Sequence, residues 1–191
     1  MRKLIALLSI AAAATALAGC GGGDEDESTA ATSSGVPFDR AFIDAMVPHH
    51  RAAITMAKEA QEGGLMNEEL SEVAADIIEA QEREIDQMLD WREEWFGSRE
   101  IAEGGASALG LSEEEAGMKM HESGSIATAG DVDQAFAQAM IPHHDGAIEM
   151  AKLAREKGDH DEIRELADEI IEAQEREIEI LRPHTGGMNH G

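Results

Sequence analysis

The sequence predicts an all-α fold, a four-helix bundle made of two repeated helical hairpins, and three observations carry that prediction. Of 191 residues only 3% are aromatic, there is no tyrosine, and methionine occurs ten times; an aromatic-poor chain rich in Ala, Glu, Leu and Ile favours helices over a sheet. Apolar residues recur at three- and four-residue spacing through four long segments. The stretch Met46-Val47-Pro48-His49-His50 returns as Met140-Ile141-Pro142-His143-His144, and Ile77 to Ile85 reappears without a change as Ile170 to Ile178. One amphipathic hairpin cannot cover its own apolar face, whereas two pack face to face. Duplication further implies a pseudo-two-fold axis with the two histidine pairs in equivalent places.

Residues 1–19 read as an export signal. Arg2 and Lys3 precede an apolar run, Leu4 to Leu17, too short for a comfortable membrane span. The next residues, Leu17-Ala18-Gly19-Cys20, resemble a bacterial lipobox, which implies cleavage before Cys20 and a lipid on its sulfur. Cys20 is the only cysteine, so no intramolecular disulfide forms. Residues 20–37, rich in Gly, Asp, Glu, Ser and Thr, hold almost nothing to bury and read as a flexible acidic tether. The formal charge of −25 becomes −27 once Arg2 and Lys3 are lost, by subtraction of two. Such a balance repels nucleic acid and anionic lipid and concentrates cations.

The bundle domain is expected over 38–184, as repeats 38–96 and 131–184 with a connector at 97–130. The first helix runs from Phe38 to about Glu62 and stops at Gly63-Gly64. Pro48 removes a hydrogen bond to the carbonyl of Asp44 and should bend or divide it. A second helix opens at Asn67, with Glu68 and Glu69 in its first turn, and ends near Phe96 before Gly97. Its stripe reads Leu70, Ala74, Ile77, Gln81, Glu84, Met88, Trp91, Trp95, so a Gln and a Glu interrupt an apolar seam. The connector is rich in Gly, Ala and Ser, with a capped piece at Ser112 to Glu115. Asp131 to Gln134 box the third helix, which stops at Gly158. The fourth opens at Asp159 to Glu162 and repeats the stripe as Ile163, Ala167, Ile170, Gln174, Glu177, Leu181, His184. Residues 185–191 form a flexible tail bearing Met and His.

The histidine pairs are the chemical feature. At about 100° per residue, Met46, His49, His50 and Met56 point into one broad sector, and Met140, His143, His144 and Met150 repeat it. Adjacent imidazoles diverge by about 100°, so both cannot serve one packing role. Thioethers suit soft ions such as Cu(I), and imidazole suits copper, zinc, iron and nickel; a mixed set in an exported protein points to a copper ion first and another transition metal second. Gln81, Glu84, Gln174 and Glu177 are either ligands or hydrogen-bond partners that orient the imidazoles, or else solvated groups paired with Arg83 and Arg176. Met88, Met118, Met120, His121, His184, Met188 and His190 are accessory donors.

Met-x-Pro-His-His, its Ala-Ile-x-Met-Ala-Lys continuation and Ile-Ile-x-Ala-Gln-x-x-Glu-Ile resemble the domain-of-unknown-function 305 family across both repeats. The resemblance implies a ferritin-like bundle, export, and kinship with copper-binding proteins of copper tolerance. By similarity His49, His50, His143, His144, Met46, Met56, Met140 and Met150 match the family's His and Met positions. Leu181 departs from the pattern, standing where Met88 stands in the first repeat. The leading expectation is a lipid-anchored protein outside the cytoplasm that buffers copper or hands it to a copper-transfer protein. A structural module built on a His-Gln-Glu network is the alternative. A ferritin-like di-iron oxidase ranks below both, because neither long helix pair carries the Glu-x-x-His such a site uses. No nucleophile, base and oxyanion grouping of a hydrolase occurs, nor a phosphate-binding glycine loop.

Overall fold

A computed structural model describes residues 32, 35–118 and 125–186. The export signal, Cys20 and nearly all of the tether lie outside the described residues, as do Met120, His121, Met188 and His190. The elements are α1 (Phe38–Gly63), α2 (Glu68–Phe96), a one-turn α3 (Gly105–Ala108), α4 (Val132–Lys157) and α5 (Asp161–Leu181), with 3₁₀ turns at Ile126–Thr128 and Arg182–His184. No strand occurs among the described residues, and no described helix is long and apolar enough to cross a membrane.

Capping residues mark the starts of α2 and α4 and the ends of α1 and α2. Asn67 accepts from the Leu70 N–H at 3.1 Å and Asp131 from the Gln134 N–H at 3.0 Å. Gly64 and Gly97 close α1 and α2 in the left-handed region, φ 83° and 78°, which a side chain would oppose. Pro48 and Pro142 sit inside unbroken helices, so the expected division of the first helix does not occur. One lost backbone bond is outweighed by flanking residues buried on both sides, among them Met46, Val47, His49 and His50.

The hairpins α1–α2 and α4–α5 meet chiefly through α1 and α4. These two run antiparallel. Asp39, in the first turn of α1, accepts from the N–H groups of Asp159 and His160 at 2.9 Å each, and so caps α5. Its repeat counterpart Asp133, in α4, accepts from Met66 and Asn67 at 2.8 and 3.0 Å and caps α2. Each hairpin therefore supplies the carboxylate for the other's second helix, satisfying N–H groups that a helix start leaves without partners.

Two apolar clusters fill the bundle. One holds Phe38, Phe42, Met46, Met88, Met150 and Ile163 among others, and the second Leu70, Ile77, Phe136, Met140 and Leu181. Full burial of one such side chain contributes about 1.5–3 kcal/mol. A band of buried polar groups lies at mid-helix between them: His49, His50, Gln81, His143, His144 and Gln174.

The described part of the connector packs on the bundle. A Cβ on Gly105 would lie 2.4 Å from the Ala45 nitrogen, and one on Gly146 2.4 Å from the Ala116 carbonyl carbon, so the connector lies directly on both α1 and α4. Ser112 and Glu115 form the expected reciprocal cap, at 2.9 and 3.2 Å, around a turn and not a helix.

Candidate metal centre

The histidine pairs meet at the α1–α4 crossing. The rings of His49 and His143 stack with centroids 3.7 Å apart and planes 9° from parallel. This contact follows from the duplication: equivalent residues on antiparallel helices face each other across a two-fold axis. His50 and His144 turn away from it, each toward the second helix of its own hairpin. Nε2 of His50 lies 2.6 Å from Oε2 of Glu84, and Nε2 of His144 lies 2.7 Å from Oε2 of Glu177. Only the first of these has hydrogen-bond geometry; His144 Nε2 and Glu177 Oε2 have no hydrogen-bond partner. Arg83 pairs with Glu79 and Arg176 with Glu172, so neither arginine takes the central glutamate of its helix.

The two stacked imidazoles differ in what they touch. Both nitrogens of His143 face backbone carbonyls, Nδ1 that of Gly117 at 2.9 Å and Nε2 that of His49 at 3.0 Å. A neutral ring has one N–H and donates to only one of them. Burial pushes His143 down to about 4, while the two carbonyls pull the other way. His49 has no hydrogen-bond partner at either nitrogen. Burial, then the neighbouring charges of His143, His50 and His144, hold it well below the ordinary imidazole range. Nδ1 of His50, Nδ1 of His144 and the Oε1 atoms of Gln81 and Gln174 are likewise buried and unpartnered.

The methionines divide differently from the sequence expectation of one sector per helix. Met46 and Met56 fall in one broad sector, about 80° apart, but ten residues of helix also separate them by about 15 Å along the axis. Met46 lies in the first apolar cluster with Met88 and, from the opposite hairpin, Met150. Met56, half-buried, packs on the second cluster with Met140 and Leu181. Met118 is half-buried against the first cluster, and His184 is half-buried in the 3₁₀ turn that follows α5.

Sequence reasoning passed over several residues that set this geometry. Gly117, φ 64°, brings its carbonyl to His143, and no pattern in the connector marks it. Asp39 and Asp133 were findable, being repeat-equivalent acids in the first turns of two helices. Arg92 and Asp44 form a buried ion pair at 2.6 Å. At one end of the bundle His160 stacks on Trp95 at 3.7 Å, its Nδ1 2.6 Å from Asp39.

Chemically this is a buried band of imidazole and amide donors. Among the described residues no three His, Cys, Asp or Glu side chains converge as a ready coordination shell. The donor set does fit a soft or borderline ion: an unsatisfied buried polar atom costs about 1–3 kcal/mol, and coordination would relieve several at once.

The sequence matches the family described as "Domain of unknown function (DUF305)" over residues 11–68 and 63–184. Among solved structures it is similar to CopM in its Cu(I)-bound form, with 34% identity and a TM-score of 0.60, covering 76% of this chain and 93% of that one. The Ag-bound form of CopM gives 33% identity, a TM-score of 0.63 and the same coverage, 76% and 93%. A putative secreted DUF305 protein from Streptomyces coelicolor, 24% identical, shares the fold with a TM-score of 0.66 over 81% of this chain and 98% of that one. No curated protein matches the chain.

Proposed function

The chain belongs to the DUF305 family, and on that premise we propose that it is a lipid-anchored protein outside the cytoplasm that binds copper, buffering it or passing it to a copper-transfer protein. One observation carries the proposal. His49, His50 and His144 carry buried imidazole nitrogens without hydrogen-bond partners at mid-helix, and Met46, Met88 and Met150 are fully buried together in the first apolar cluster. The recorded Cu(I)-, Cu(II)- and Ag-bound forms of CopM, 32–34% identical, support the choice of ion.

In this reading His49, His50, Met46, Met88 and Met150 hold the ion, with His144, Met140 and Met56 as their counterparts. Glu84 orients His50 by accepting from its Nε2–H, which leaves Nδ1 as the free lone pair. Glu177 stands in the same position toward His144. Bound copper would supply soft Lewis acidity; the chain's part is to exclude water and to fix ring orientation. The net charge of −25 raises the local cation concentration around the bundle.

Titration of the mature protein with Cu(I) and Cu(II) tests the proposal. Tight binding that is lost when His49, His50, His143 and His144 are all changed to alanine is expected. Equal binding by the quadruple variant would leave the His-Gln-Glu band as a structural network.

A further inference from the structure

The duplication has left two half-sites of the same origin, and two observations set them apart. In the first, Met46 lies four residues before His50 and Met88 four residues after Glu84. Because α1 and α2 form a hairpin and run antiparallel, both steps go the same way, placing the two thioethers at one depth, about 6 Å from the His50–Glu84 pair. In the second half, Met140 has the place of Met46, but Leu181 has the place of Met88, fully buried and without a sulfur. The other difference concerns the histidines. His49 has both nitrogens unpartnered, whereas its counterpart His143 has both turned onto the carbonyls of Gly117 and His49.

We infer that the two halves have separate roles: the first, with His49, His50, Met46 and Met88, is the soft-metal half-site that takes Cu(I) or Ag(I), and in the second His143 is a positioning residue that fastens the connector over the bundle. This inference rests on the proposed metal-binding function and adds to it which half discriminates by softness. The chemistry is that of donor count. A monovalent d¹⁰ ion gains most from thioether sulfur, so a half that has lost one of two facing thioethers loses its preference for that ion, while its imidazole still suits a borderline divalent ion. The single N–H of neutral His143 donates to one of these carbonyls while the second lies in front of its other nitrogen, and one of the two belongs to the connector.

The test compares three methionine variants of the mature protein under anaerobic titration with Cu(I) and, separately, Ag(I), with the melting temperature of each metal-loaded form as a second readout. Met88→Leu and Met140→Leu conserve volume and change folding little; Leu181→Met restores the missing sulfur. The expected result is that Met88→Leu weakens the tightest Cu(I) event at least tenfold and shrinks its melting shift, that Met140→Leu weakens it by a clearly smaller factor, and that Leu181→Met creates a second tight event. Equal losses from Met88→Leu and Met140→Leu, or no gain from Leu181→Met, would overturn the division of roles while leaving metal binding intact. The quadruple histidine variant separates the two failures: if wild type binds no better than that variant, the metal-binding reading itself falls.

Discussion

Protonation of the buried histidines should limit the acid stability of the metal-free protein, and His143 allows the size of the effect to be worked out. Its folded value is about 4 against an ordinary 6.5. The native state thus keeps the ring neutral in a range where the unfolded chain has already taken up a proton. Stability from this group is complete above pH 6.5, falls as pH drops below 6.5, and is fully lost below about 4. Between pH 7 and pH 5 the loss is about 2 kcal/mol, and His49, shifted in the same direction, adds to it. The many carboxylates oppose this trend, since acid relieves their mutual repulsion, so the comparison should be made against His143→Gln, which removes the titration. Urea denaturation of both proteins, chelator-treated, at pH 7, 6 and 5 gives the measurement. The gap between wild type and variant should close by about 2 kcal/mol on going to pH 5. If the gap instead widens in acid, the two carbonyls hold His143 as a cation and its value lies above 6.5, contrary to the burial argument.

Four other outcomes are expected. Asp39→Ala removes the acceptor for two backbone N–H groups and the His160 ring and should cost about 2 kcal/mol by denaturation; Asp133→Ala, with two N–H groups at stake, should cost about 1 kcal/mol. Asp44→Ala leaves Arg92 charged and 2% exposed, and a loss of about 3–5 kcal/mol should appear as a lower denaturation midpoint. Gly146→Ala drives a methyl into the Ala116 carbonyl carbon at 2.4 Å, so a destabilisation of about 1–3 kcal/mol is expected, with faster hydrogen exchange over residues 105–117. Cys20→Ser should release the protein from the membrane fraction of its host, as judged by immunoblot.

Much of the fold was legible because repeat and periodicity agree. The four long helices, their caps at Asn67 and Asp131 and the pairing into two hairpins follow from spacing alone. Pro48 misled in part: local chemistry argues for a break, and packing on both flanks carries the helix through it. The connector was illegible in a deeper sense. Its Gly-rich composition looks like freedom, yet Gly105 and Gly117 are there because helix backbones pass too close for a side chain. At the site, the sequence assigns the imidazoles and thioethers to helices but not to depths. An angular projection discards the 1.5 Å rise per residue, and so it joined Met46 to Met56 when the bundle groups Met46 with Met150. The carbonyls on His143 left no trace in any side-chain pattern, because backbone acceptors are the same at every residue.

The central claim is that buried imidazole and thioether together take a soft ion at the bundle centre. X-ray absorption at the copper edge, on mature protein loaded anaerobically with one equivalent of Cu(I), tests it most directly. The account predicts a first shell of imidazole nitrogen and thioether sulfur, with the sulfur contribution reduced in Met88→Leu and the imidazole contribution abolished in the quadruple histidine variant. A shell of oxygen alone, or one unchanged by either substitution, would contradict it.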